Sequence, residues 1–147
     1  MFINWTPELA VGVPEIDQQH RELFRRAAAF VDALHTGAED EIGRVLHFLH
    51  DYVVEHFALE EQLMARHAYP RAEEHALQHR RLVEDFGALK ASLERSQRSA
   101  ELVWKVTRFL KRWLESHVTV SDQALGVFLD AARGREACER ARALARS

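Results

Sequence analysis

What most constrains this chain is a helical rhythm of apolar residues that recurs through four long segments. From about Glu15 to His35 the inward positions are Ile16, His20, Leu23, Phe24, Ala27, Phe30, Val31 and Leu34, near i, i+3, i+4, i+7 spacing. From about Asp40 to His67 they are Ile42, Val45, Leu46, Leu49, Val53, His56, Phe57, Glu60, Leu63 and Met64. From about Arg71 to Glu94 they are His75, His79, Leu82, Val83, Phe86, Leu89 and Leu93. A fourth segment starts near Ala100 with Leu102, Val103, Val106, Phe109, Leu110, Trp113, Leu114 and His117, and its pattern resumes after the stretch HVTVSD. Pro7, Gly12, Pro14, Gly37, Pro70 and Gly134 sit at segment edges, where helix breakers belong. Tyr69-Pro70 predicts the end of the second helix, because a residue before proline avoids helical geometry. The link between the third and fourth helices reads RSQRS.

Short links between long helices force antiparallel neighbours. The predicted fold is all-α: an antiparallel up-down-up-down four-helix bundle with an N-terminal arm and a short C-terminal extension. A single domain is expected over residues 1–147, with its core over 3–133 and a tail over 134–147 that forms a short surface helix or frays. A net charge of −3 with interspersed signs points away from nucleic acid and from anionic membranes. No stretch approaches the roughly 20 apolar residues of a membrane span, and no signal peptide is visible, so no membrane insertion is expected. One cysteine, Cys138, fits a reducing compartment and hence the cytoplasm.

The inward faces carry polar residues that an ordinary core would exclude. Residues four apart on a helix lie within about 40° of each other. His75 and His79 therefore share the face that carries Leu82 and Phe86, and His56 and Glu60 share the face of Val53 and Leu63. His20 and His117 point inward from the first and fourth segments. Burying each of these alone would cost a few kcal/mol, and a lone carboxylate more. A metal centre removes that cost, and the mixed nitrogen and oxygen set suits iron, zinc or copper. Five histidines and two carboxylates, with Asp122 included, exceed one ion and suit two ions bridged by carboxylates. Asp122 follows His117 by five residues, about 140° away on a regular helix. The β-branched run between them predicts a kink or a π-like turn near 118–121.

The motifs IDQQH (16–20), HFALEEQLM (56–64), YPRAEEHALQHRRL (69–82) and WLESHVTVSD (113–122) resemble those of the bacterial hemerythrins. The order H…HxxxE…HxxxH…HxxxxD is complete over roughly residues 3–130. The resemblance implies two iron ions with an oxo or hydroxo bridge and dioxygen as ligand. His75, His79 and His117 would hold one iron, His20 and His56 the other, and Glu60 and Asp122 would bridge them. Dioxygen would bind end-on at the iron with fewer ligands, becoming a hydroperoxide. Leu23, Phe57, Trp113, Leu114 and Val118 would line the dioxygen pocket. The implied function is a dioxygen carrier, store or local supplier rather than an enzyme, with no catalytic residues, no identified protein partner, and a monomer or weak homo-oligomer. The alternatives are a dioxygen or redox sensor acting through a partner, and an iron-holding or peroxide-handling protein.

Other conspicuous residues have plainer expectations. His47 and His50 fall away from His56 on the wheel and should be solvated. His67 lies too far along the axis to join the cluster, and His35 should contact a helix C-terminus. Phe86, Trp104, Phe109 and Phe128 are expected in the core, and Trp5 in the arm.

Overall fold

The computed structural model describes residues 3–95 and 98–146, and among these no strand occurs. Five helical segments follow a short 3-10 turn at Pro7–Leu9: α1 (Pro14–Thr36), α2 (Glu39–Arg66), α3 (Ala72–Arg95), α4 (Ala100–His117) and α5 (Gln123–Arg146). A π turn, Val118–Asp122, joins α4 to α5, so the two form one long broken helix. The architecture is the expected four-helix bundle. Ser96 and Gln97 of the RSQRS link lie outside the described residues.

Local chemistry sets the helix ends. Pro14 opens α1, where its missing N–H costs nothing. Ser99 opens α4, its hydroxyl accepting the Leu102 N–H at 3.1 Å. The end of α2 departs from expectation. It stops at Arg66, before the proline can act, and Ala68 takes a left-handed φ of 54°. The Tyr69 N–H then donates to Met64 O (2.9 Å) and the Ala68 N–H to Ala65 O (3.4 Å), the hydrogen-bond pattern of a Schellman stop.

The N-terminal arm is pinned at both sides. Asp17, buried in α1, accepts the Val11 N–H at 2.7 Å and the Gly12 N–H at 3.2 Å. Gln123 of α5 donates to Glu8 O at 3.0 Å. Gly126 lets the arm lie directly on α5, since a Cβ there would fall 2.1 Å from Val11 O.

The bundle is divided lengthwise. One end is filled by Phe30, Leu34, Leu49, Phe86, Val106 and Leu110, all buried. The other end takes the start of α1, the end of α2, the start of α3 and the α4–α5 junction, and there the buried polar residues gather. One expectation is corrected: Trp104 is not core but 52% exposed on α4, while Phe86 is buried and Phe109 and Phe128 pack partly buried on the core. The tail takes the surface-helix form of the two expected, as the largely exposed last turns of α5, which runs unbroken to Arg146. No helix of the described residues is long and apolar enough to cross a membrane.

Left-handed backbone costs a residue with a Cβ about 1–2 kcal/mol. Ala68→Gly is therefore expected to stabilise the protein by about 1 kcal/mol in chemical denaturation. Gly126→Ala should destabilise it by about 1–3 kcal/mol, because backbone and not a flexible side chain blocks the new Cβ.

Candidate metal centre

Four helices each contribute to one buried cluster. His20 comes from the second turn of α1, and His56 and Glu60 from consecutive turns near the end of α2. His75 and His79 come from the first turns of α3, His117 from the last residue of α4, and Asp122 from the last residue of the π turn. All seven are buried, with Glu60 and Asp122 at 0% exposure. Every residue proposed from sequence for the metal shell is in this cluster.

The π turn is what brings Asp122 in. The Gln123 N–H donates to Val118 O, five residues back, so the chain closes one residue later than an α-helix would. Asp122 thus returns over His117, and His117 Nε2 lies 3.0 Å from Asp122 Oδ1. The Thr119 hydroxyl donates to Glu115 O at 2.6 Å, occupying a carbonyl where the regular ladder gives way.

Each carboxylate faces two ways. Glu60 Oε1 lies 3.2 Å from His56 Nε2 and 3.7 Å from His20 Nε2. Its other oxygen, Oε2, lies 3.1 Å from Nε2 of both His75 and His79. Asp122 Oδ2 lies 3.0 Å from His20 Nε2, and Oδ1 lies 3.1 Å from His75 Nε2. The donors fall into two overlapping sets, each mutually within 4.8 Å: Glu60, His75, His79, His117 and Asp122 in one, and His20, His56, Glu60 and Asp122 in the other. Cis donors on an octahedron with bonds of about 2.1 Å sit about 3.0 Å apart, which is the spacing found here.

The polar atoms are also badly served as a purely organic cluster. Glu60 Oε1, both Asp122 oxygens, His79 Nε2 and His117 Nε2 are sealed from water without hydrogen-bond partners. Nε2 of His20 and of His56 face each other at 3.1 Å. Imidazole lone pairs and carboxylates aimed at shared points fit metal cations between them.

Two neighbours missed in the sequence orient this shell. The His56 Nδ1–H donates to Gln19 Oε1 at 2.9 Å, and the His79 Nδ1–H to Glu61 Oε1 at 3.1 Å. Each bond turns the Nε2 lone pair toward the cluster. Gln19 and Glu61 flank His20 and Glu60 in sequence, but each serves a histidine on another helix, so spacing alone does not reveal them.

The residues proposed for the dioxygen pocket lie close by. Phe57 stacks on His79 with ring centroids 3.7 Å apart and planes 6° from parallel. Trp113 stacks on His117 at 5.2 Å and 14°, and meets Phe57 edge-on at 5.7 Å. Leu23 and Leu114 are buried one helical turn from His20 and His117, and Val118 is buried beside His117. The remaining histidines stay outside. His47 is exposed beside Asp51, whereas His50, expected to be solvated, is partly buried with its ring 5.9 Å from that of Phe86; His35 Nδ1–H donates to Val31 O at 2.8 Å, and His67 pairs with Glu136 at 3.3 Å.

Residues 11–129 match the family model of the hemerythrin HHE cation binding domain. A bacteriohemerythrin of Methylococcus capsulatus is 33% identical over 131 residues, covering 88% of this chain and 98% of the relative. The chain belongs to the hemerythrin family. A hemerythrin-like protein of Naegleria gruberi is 33% identical over 119 residues, covering 81% of this chain and 87% of that one. The solved structure of a wild-type hemerythrin superposes with a TM-score of 0.78 at 30% identity, covering 88% of this chain and 98% of the other. The four-helix frame is thus shared along nearly the whole of that structure.

Protonation follows from the same geometry. Burial opposes charge on His20 and on His75, but Asp122 and Glu60 outweigh it and raise each to about 9. Burial pushes Glu60 up, yet His56, His20 and His75 hold it well below the usual carboxylate range. Burial and the charge of Glu60 push Asp122 up, and His117 and His20 more than offset them. Without a metal, His20 and His75 are therefore charged at neutral pH, and a cation must displace their protons. Metal uptake at neutral pH is expected to release about two protons, measurable in a pH-stat. A histidine raised in the fold stabilises it fully below its unfolded pKa and loses that effect as pH rises through the folded value. The metal-free protein should accordingly lose thermal stability between about pH 6.5 and 9, monitored by circular dichroism.

Proposed function

We propose that this protein binds dioxygen reversibly at a non-haem di-iron centre and serves as a carrier, store or local supplier. The carrying observation is the two-way aim of Glu60 and Asp122, each with one oxygen toward the three-histidine set and one toward the two-histidine set. His75, His79 and His117 would hold one iron and His20 and His56 the other, with both carboxylates shared. Two irons joined by an oxo or hydroxo bridge would supply the electrons that bind dioxygen reversibly.

The protein's own residues determine how that chemistry is confined. One donor set has five members and the other four. The imbalance leaves the His20/His56 side short of one ligand, which is where a small molecule would enter. Five of the seven donors are neutral imidazoles, so the shell places little negative charge on the metals. That favours return to the reduced state over the high-valent states used for oxygenation. Leu23, Phe57, Trp113, Leu114 and Val118 would form a dry wall against water and stray protons, either of which would promote irreversible oxidation. Gln19 and Glu61 hold two imidazoles in place, so little reorganisation is needed when the charge at the centre changes. A shell of this kind suits a binder rather than an enzyme.

Metal analysis should find two irons per chain, and reduced protein exposed to air should develop a visible charge-transfer band that is lost again on deoxygenation. Immediate irreversible oxidation would favour the sensing reading, and absence of metal would remove the proposal. Glu60→Ala is expected to cost at least one of the two irons. Leu114→Asn should retain both irons but autoxidise on the order of tenfold faster, equivalent to about 1.4 kcal/mol off the barrier.

A further inference from the structure

A groove of about 730 Å³ opens between α3 and α4, on the flank of the metal cluster. That volume is in the range of small-molecule sites. Its walls are chemically specific. Arg81 of α3 faces it from one side, and Arg108 and Arg112 of α4 from the other. Asp85 is the single carboxylate of the lining, and Lys105 is already paired with Glu101 at 2.8 Å. Three arginines against one acid is a local excess of positive charge on a chain whose net charge is −3.

The groove is also aromatic. Trp104, the residue expected in the core, projects half-exposed into it, and the Arg108 guanidinium lies 5.0 Å over the indole. The electron-rich indole is a stacking platform for a flat, electron-poor ring on the face that the guanidinium does not cover. The inner end is formed by Trp113 and His117, which are themselves stacked at 5.2 Å. His117 Nε2 points at Asp122 Oδ1, 3.0 Å away. A ring on Trp104 would sit about 13 Å along α4 from Trp113, with Phe109 of the lining between the two in sequence.

We propose that this groove binds a planar, phosphate-bearing electron donor of the flavin mononucleotide type, which re-reduces the centre once it has been oxidised. The role rests on the di-iron reading above; the binding does not. Arg81 and Arg112 would take the phosphate from opposite walls, with charge-assisted hydrogen bonds, and Trp104 would take the ring. A reduced flavin carries two electrons and two protons. One electron goes to each of two ferric ions, leaving two ferrous ions and oxidised flavin, and both protons pass to solvent. A flavin can release its electrons singly, which suits a pair of one-electron acceptors; a pure hydride donor cannot. A dry, sealed pocket protects the reduced centre, but a centre that does lose electrons needs such an outside source.

The test uses the purified, iron-loaded, air-oxidised protein. Flavin mononucleotide is titrated and its fluorescence anisotropy followed, with riboflavin, which lacks the phosphate, as the comparison. Saturable binding at sub-millimolar flavin is expected, with riboflavin ~10-fold weaker. The R81E/R112E double variant should weaken flavin mononucleotide by ~10-fold or more and leave riboflavin nearly unchanged, while Trp104→Ala should weaken both. Photoreduced flavin mononucleotide should then restore the ferrous state, with a rate that falls in the same variants. Binding that never saturates, or is indifferent to both the phosphate and the arginines, overturns the site. Normal binding with re-reduction rates equal in all variants overturns the donor role. Re-reduction by an acidic redox protein that alone depends on Arg81 and Arg112 overturns it in favour of protein docking. Iron content and the response to dioxygen of the unaltered protein are read separately, so failure of the di-iron reading is distinguishable from failure of the groove.

Discussion

Two carboxylates sealed from water among five imidazoles are the constraint on which the rest of this structure depends. Glu60 and Asp122 have no exposure, and much of their lone-pair capacity is aimed at points shared with histidine nitrogens. Carboxylates buried without compensation would unfold a bundle of this size. The helices therefore cannot be arranged for apolar packing alone. They must bring all seven side chains together, and the bundle divides accordingly into an apolar end and a polar end. The arm, tied by Asp17 and Gln123 and laid against Gly126, closes the polar end from outside.

The aromatic residues join these two regimes. Phe57 and Trp113 present faces to His79 and His117 while their edges meet each other. His79 and His117 are each held on a flank by a ring, and His56 and His79 are held from behind by Gln19 and Glu61. At His79 both act: stacking fixes the plane and the Nδ1 hydrogen bond fixes the rotation, which leaves Nε2 one direction to point.

Most of the fold was legible because a helical repeat is a strong signal and four repeats of similar length leave few arrangements. The cluster was legible for a different reason: polar residues recurring on an otherwise apolar stripe, such as His75 and His79, contradict the stripe unless they share a purpose. What escaped was set by tertiary context. Trp104 is the exception: its helical phase, about 160° from Val106, already pointed it off the core stripe, and it lines the groove together with Arg81 and Asp85 of α3. Arg66 ends α2 ahead of the proline because Ala68 adopts a left-handed turn that no alanine advertises. Glu61 looks like one more solvated acid until α3 places His79 beside it.

The π turn has an effect well beyond Asp122. One extra residue in a helical turn shifts the phase of everything after it by about 100°. On an ideal helix Leu125 of α5 would fall about 20° from Leu114 but about 100° from Val106, at the far edge of the buried stripe of α4. The extra residue turns it back over Val106. The turn therefore acts as a gear tooth between two halves of one rod, setting the rotation of α5 and the aim of Asp122 with a single adjustment. A chain shortened by one residue between 118 and 121 would lose both together: the carboxylate would swing away from His117, and the arm would meet a different face of α5 than the one Gly126 keeps clear.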